Sequence, residues 1–334
     1  MDISKLQLLI NDLYGYKNIA IVKIGGGKNS RVYHLKCNDD LSLVAKIYYK
    51  NENKNRFKVE HSALCFLRDN GISCVPDIIH SDQKNGYIIY KYIEGIKLNS
   101  NEIKHKDIDK VVDFIKHINK LKLNKNAKYL PDAAEACTSI SSVISNIEFR
   151  LERLLKIDHT KLKKYLEQEF IPHLKDIKQL CKKQANEYGY AFNKSFPLED
   201  KILSPSDFSF HNILKTNTGD LFFLDFEYFG WDDPVKLISD FLLHPGTNLN
   251  NNLKKYFLNK ILKIFPLQQR LEIMYPLFGL KWCLILLNEF LKDNLNRREF
   301  ANHQDLDISK LHDEQLIKAR QMNNKVDKLY NLLN

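Results

Sequence analysis

The hydrophobic periodicity of this chain changes near residue 96, and that change limits the possible folds more than any other feature. Before it, short β-type runs dominate, at 19–24, 31–36, 42–48, 77–80 and 86–93. An amphipathic helix precedes them, with Ile3, Leu6, Ile10 and Leu13 at helical spacing and Gly15 as its stop. A second helix is expected over 53–70, ended by Gly71. Beyond residue 96 helical spacing takes over, at 107–121, 139–155, 160–184, 234–243, 249–264, 275–292 and 308–333. One strand-like patch at 210–226 interrupts it. The pattern predicts an α+β protein of two lobes, β-rich over 1–95 and mainly helical over 96–334, hinged near Gly95.

Composition narrows the function classes. With 334 residues, 44% of them hydrophobic and 28% charged, the chain can bury a substantial core. The formal net charge of +10 comes from lysines scattered among many acids, with no arginine-rich tract or basic tail. That pattern reads as a solvated surface rather than a nucleic-acid footprint, so no nucleic-acid partner is expected. The six cysteines form no CxxC pair, which suits reduced thiols in a cytoplasmic protein. The first helix lacks the basic start and small-residue cleavage site of a signal peptide. The longest apolar stretch, 274–291, is broken by Lys281 and Asn288, so a core helix is expected and no membrane insertion.

Two constellations carry chemistry. The first lies in the β-rich part. Gly25, Gly26 and Gly27 stand between two expected strands and lead to Ser30. Glycines let backbone N–H groups approach phosphate oxygens, although a plain hairpin turn would look the same. No Gly-Lys-Ser/Thr follows, which excludes a Walker A loop. Lys46 lies inside the run Leu43–Ile47, on the strand face shared with Val44 and Tyr48. Glu60 falls on the apolar stripe of the next helix, with Phe57, Leu64 and Leu67. A carboxylate there needs a cation, and Lys46 is the natural partner.

The second constellation occupies residues 203–234, LSPSDFSFHNILKTNTGDLFFLDFEYFGWDDP. Asn217-Thr218-Gly219-Asp220 marks a hairpin turn between two apolar runs. Folding about its centre sets Leu214 opposite Phe223, Ile213 opposite Leu224, and Asn212 opposite Asp225. Two oxygen ligands suited to magnesium would then meet at the open end. Asp207 precedes Asn212 by five residues and supplies a separate carboxylate to orient a hydroxyl and take its proton.

These residues resemble the aminoglycoside phosphotransferase and choline kinase family, the small-molecule branch of the protein-kinase-like fold. The resemblance runs from about Ile19 to Leu243 and is most specific at LDFEYFGWDDP. It implies an ATP- and magnesium-dependent phosphotransferase acting on the hydroxyl of a small molecule such as a sugar, amino alcohol or aminoglycoside. It implies Asp207 at the substrate hydroxyl, Asn212 and Asp225 on magnesium, and Lys46, paired with Glu60, on the phosphates. The Gly25–Ser30 turn would cover the phosphates. The run Tyr90-Lys91-Tyr92-Ile93-Glu94-Gly95 is similar to the family's hinge, whose backbone holds adenine. Pro205 stands where the family carries a histidine, which keeps a non-catalytic nucleotide-binding pseudokinase as the alternative. Only eight residues separate Asp225 from Pro234, too few for a peptide-docking activation segment.

For the acceptor, Glu227, Trp231, Asp232 and Asp240 follow the metal motif and could line a cleft. Asp233-Pro234 also reads as a helix start, and Asp240 as a local partner. His211 reads as loop packing, and Trp282 as core.

Overall fold

Alternation along the strand Ser42–Tyr48 sorts the first lobe into two faces. The structure is a computed structural model, described over residues 3–16, 19–25, 29–37, 41–49, 55–247, 249–302 and 307–330. Its first elements are α1 (Ile3–Tyr14), β1 (Ala20–Gly25), β2 (Ser30–Lys36), β3 (Ser42–Tyr48), α2 (Arg56–Asp69), β4 (Ile78–Asp82) and β5 (Tyr87–Lys91). The strands form one antiparallel sheet in the order β1-β2-β3-β5-β4. Leu43, Ala45 and Ile47 of β3 join Leu6 and Ile10 of α1 in a small core of their own. Tyr48, on the other face, joins Leu64 and Leu67 of α2 in the main core. The α1 stripe is narrower than its spacing suggests: Leu6 and Ile10 are buried, while Ile3 and Leu13 are 52% and 41% exposed.

The second lobe follows as α3 (His105–Lys120), α4 (Ile140–Leu155), α5 (Thr160–Tyr165), α6 (Ile171–Glu187), β6 (Ile202–Ser204), β7 (Ile213–Lys215), β8 (Leu221–Phe223), β9 (Gly230–Asp232), α7 (Pro234–Leu243), α8 (Asn251–Ile261), α9 (Gln268–Leu286), α10 (Lys292–Asn302) and α11 (Ile308–Tyr330). A π-type stretch, Leu166–Phe170, links α5 to α6. The central element is α9, packed on α4, α6, α7 and α11. It starts at Gln268 rather than 275, because Pro276 lies inside the helix instead of opening it. The span Gln268–Phe290 is apolar and long enough to cross a membrane, yet 83% of its apolar window is buried, as in a core helix.

The lobes meet at several places. Ile96 and Lys215 exchange backbone hydrogen bonds of 2.9 Å, and Gly95 lies so close that a Cβ there would stand 3.0 Å from the Lys215 carbonyl oxygen. On the far side α10 returns to the sheet. Arg31 Nε donates to the Phe300 carbonyl at 2.6 Å, and its guanidinium lies 4.0 Å from the Phe300 ring centroid.

Behind the site, β6 and β9 pair as a two-stranded ladder. The segment at Pro131–Ala133 closes on its Gly230–Trp231 edge. A Cβ on Gly230 would come within 2.3 Å of the Pro131 carbonyl oxygen and 2.6 Å of the Ala133 nitrogen. Backbone on that side cannot give way. Gly230→Ala is therefore expected to destabilise by about 3 kcal/mol or more, read as a fall in the denaturation midpoint.

Candidate active site

The two lobes enclose a cavity of about 1350 Å³ that runs from the β-sheet to the helical core. Its β-side end is apolar, with Ile24, Val32 and Val44 on one wall and Leu214 and Leu224 on the other. The segment from Tyr90 to Ile93 closes the rear. Tyr92 is held there: its N–H donates to the Ser42 carbonyl at 3.1 Å and its ring stacks on His34 at 4.0 Å. The next N–H, of Ile93, has no acceptor among the described residues. A flat heteroaromatic ring between these walls would find one open backbone donor.

Farther in, β3 and α2 place a charged knot. Lys46 Nζ lies 2.6 Å from Glu60 Oε2, 2.7 Å from Asp225 Oδ1 and 3.4 Å from Glu227 Oε2. Tyr48 donates its hydroxyl to Glu60 at 2.6 Å. Burial alone would push Lys46 down, but Asp225, Glu60 and Glu227 together hold it well above the ordinary lysine range. The expected Lys46–Glu60 pair is present. Burial, and then the charge of Asp225, raise Glu227. Exposure separates the three acids: the Glu60 and Glu227 side chains are 2% exposed, whereas Asp225 keeps 27% and faces the cavity. The hydrogen-bond-free Oε2 of Glu227 and the Nε and Nη1 of buried Arg56, which lines the same cavity, are unsatisfied polar atoms. Such orphans fit a site that binds a cation and phosphate oxygens together.

The hairpin of β7 and β8 differs from expectation by one residue. Ile213 pairs with Phe223 and Leu214 with Phe222, so Asn212 comes opposite Leu224, not Asp225. The cause is the turn. The Gly219 N–H donates to the Thr216 carbonyl, and the Thr216 N–H to the Asp220 carbonyl, with Gly219 left-handed at φ +87°. A type I turn followed by such a glycine holds one residue more than a two-residue loop. Asp225 reaches the cavity by another route, a left-handed backbone at φ +66° that turns its carboxylate onto Lys46. The Nδ2 of Asn212 donates to the Asp207 carbonyl at 3.0 Å, leaving Oδ1 as its free oxygen.

Asp207 follows a tight loop. Ser206 is left-handed at φ +66°, its N–H donates to Ser204 Oγ, and Lys236 Nζ donates to its hydroxyl at 2.9 Å. Two stacked imidazoles hold the carboxylate. His244 Nε2 lies 3.1 Å and His211 Nε2 3.6 Å from Asp207 Oδ1, and the rings are 4.0 Å apart and nearly parallel. The Gly246 N–H donates to His244 Nδ1, so the proton of His244 sits on Nε2 and points at Asp207. Burial would raise Asp207, but hydrogen bonds from His211 and His244 hold it well below the ordinary carboxylate range.

The acceptor-side expectations fare less evenly. Ser30 and Asp240 line the cavity, as do Tyr92 and Ile93. Asp240 is already engaged, accepting from Trp282 Nε1 at 2.9 Å and lying 3.1 Å from Lys236. Glu227 belongs to the Lys46 knot rather than to the acceptor end. Trp231 is not on the cavity wall: it packs on the core, and its Nε1 donates to the Ala127 carbonyl. Trp282 is buried as expected, yet it lines the cavity edge-on to His244. His211 does more than pack its loop. Gly25 ends β1, and Gly26 and Gly27 lie outside the described residues.

Sequence reasoning missed four residues. Arg56 sits one turn before Glu60 on the same buried stripe, so the argument that found Glu60 applied to it as well. Asn29 donates to Glu227 at 2.7 Å and accepts from Arg297 of α10 at 2.7 Å, tying the start of β2 to the second lobe. His244 and Arg297 arrive through tertiary packing, for which no local spacing gives a signal.

The fold is the two-lobed protein-kinase-like one. It is shared with a choline/ethanolamine kinase family protein from Mesorhizobium loti, at TM-score 0.64 and 17% identity over 99% of this chain and 98% of that one. A spectinomycin phosphotransferase solved with ADP and spectinomycin superimposes at TM-score 0.68 and 13% identity, covering 98% and 99%. The choline kinase LicA from Streptococcus pneumoniae does so at TM-score 0.60 and 15% identity, covering 96% and 98%. No family model matches the sequence, and no curated protein matches it significantly.

Proposed function

We propose that this chain is an ATP- and magnesium-dependent kinase that transfers a phosphoryl group to a hydroxyl of a small molecule. The observation that carries the reading is the meeting of Lys46, Glu60, Asp225, Asn212 and Asp207 in one interlobe cavity. The structural neighbours act on choline, ethanolamine or aminoglycosides by their names, which supports the same class of acceptor group. In this reading adenine lies between Val44 and Leu224, with the Ile93 N–H toward its edge. Lys46, steadied by Glu60, binds the phosphates, with Arg56 beside it. Asn212 Oδ1 and Asp225 would hold magnesium, which would supply charge neutralisation at the phosphate oxygens.

Asp207 holds the acceptor hydroxyl in line and takes its proton as the new O–P bond forms and the bond to ADP breaks. A carboxylate this acidic is a weak base. Its main work is therefore orientation, with proton transfer late in a loose transition state. His244 and His211 hold the Asp207 carboxylate in place, which supports catalysis over the pseudokinase alternative.

The nucleotide half is tested by calorimetry with ADP. Magnesium is expected to strengthen binding, and Lys46→Met to weaken it by about tenfold or more. Equal affinity in Lys46→Met would remove the assignment.

A further inference from the structure

The carboxylates of the acceptor half are all occupied by the protein's own cations. Asp240 is held by Lys236 and Trp282, Glu135 by Arg150 and Lys281, and Glu289 by Arg298. Asp207 is shared by two imidazoles. Among the described residues at this end of the cavity, a cationic acceptor would find no acid without a cationic partner beyond the carboxylate reserved for its hydroxyl, although Oε2 of Glu289 itself accepts no hydrogen bond.

The cations are not all matched in return. Lys254 of α8 lines the cavity, is 8% exposed, and has no hydrogen-bond or ion-pair partner among the described residues. The ammonium of Lys325 on α11 acts on it as a like charge; burial first, and then Lys325, push Lys254 down to about 8. Lys318 and Arg153 line the same end, also without an acidic partner among the described residues. A buried ammonium facing a second ammonium is costly unless something negative sits between them. Chains keep such groups where a ligand completes the pair.

Building on the kinase reading, we infer that the acceptor carries an oxyanion, a phosphate ester or a carboxylate, which Lys254 and Lys325 receive while its hydroxyl lies at Asp207. The acceptor is then unlike choline or an aminoglycoside in charge, although the fold is shared. Trp282 and Met322 give the body of such a molecule an apolar wall between the two ends.

The test is calorimetric titration of the full chain, with and without saturating magnesium–ADP, by glycerol 3-phosphate, D-glycerate, glycerol and choline. The expected result is binding of one or both anionic probes, at least about tenfold tighter than glycerol or choline. The phosphate and carboxylate arms decide which oxyanion the site prefers. Lys254→Gln and, separately, the exposed Lys325→Gln are expected to weaken the anion by about tenfold each while ADP affinity is unchanged. Tighter binding of choline, failure of both anions to bind, or anion affinity unmoved by both substitutions would overturn the inference. Loss of ADP binding in the unmodified protein would strike the kinase reading instead, and the nucleotide-free titration judges the anion site without it.

Discussion

Asp225→Ala is expected to lower magnesium-dependent kcat/KM by at least about a thousandfold, with little loss of stability. The reason lies in how the three carboxylates around Lys46 divide. Glu60 and Glu227 are almost fully buried at the cavity wall, whereas Asp225 keeps 27% of its side chain exposed there. On the proposed function, removing it takes away a magnesium ligand, while Lys46 keeps two acidic partners. Asp225 also helps to raise Glu227, so its loss relieves one repulsion inside the knot. A coupled assay of ADP release at saturating magnesium–ATP, run beside a thermal melt, reads both effects. A variant that melts early without losing its specific activity would place Asp225 among structural residues.

Asp207→Asn is expected to reduce kcat by a factor of about a hundred to ten thousand, with the KM for ATP nearly unchanged. The amide matches the carboxylate in size but cannot accept the hydroxyl proton. It also turns a donor toward His244, whose Nε2 already carries a proton. A second readout comes from pH. The folded state holds Asp207 below its unfolded value of about 3.9, so the carboxylate contributes stability above that pH and loses it as pH falls toward the folded value. The stability advantage of the wild type over Asp207→Asn is therefore full above about pH 4 and shrinks below it. Acid melts that diverge as pH falls would contradict the contact between Asp207 and the two imidazoles.

Much of this site was legible because its residues break local patterns. Glu60 stood on an apolar stripe and Lys46 inside a strand, and burial of either required the other. The strand positions followed from alternation, and β3 and α7 have the expected bounds. The hairpin register did not follow. An Asn-Thr-Gly-Asp turn suits both a two-residue loop and the longer bulged one, and only the Thr216–Asp220 hydrogen bonds decide between them. Trp282 is in the core as expected, but neither tryptophan's relation to the cavity followed from local pattern. Trp231 follows the metal motif in sequence, but β9 turns it inward; Trp282 lies on α9, which is buried on nearly every side, so its periodicity says nothing about which face meets the cavity. His244 enters from the C-terminal end of α7, 37 residues after Asp207. Its role depends on how α7 packs, which no spacing encodes.

Phosphoryl transfer to a hydroxyl held at Asp207, beside the Lys46–Asp225 knot, can be measured directly. The direct measurement incubates the protein with magnesium–ATP and a panel of neutral, cationic and anionic hydroxyl compounds, following ADP release and the phosphorylated product by mass spectrometry. Product is expected from at least one acceptor, dependent on magnesium and absent from Asp207→Asn and Asp225→Ala. Tight magnesium–ADP binding with no product from any acceptor, or product formed at the wild-type rate by either variant, would contradict it.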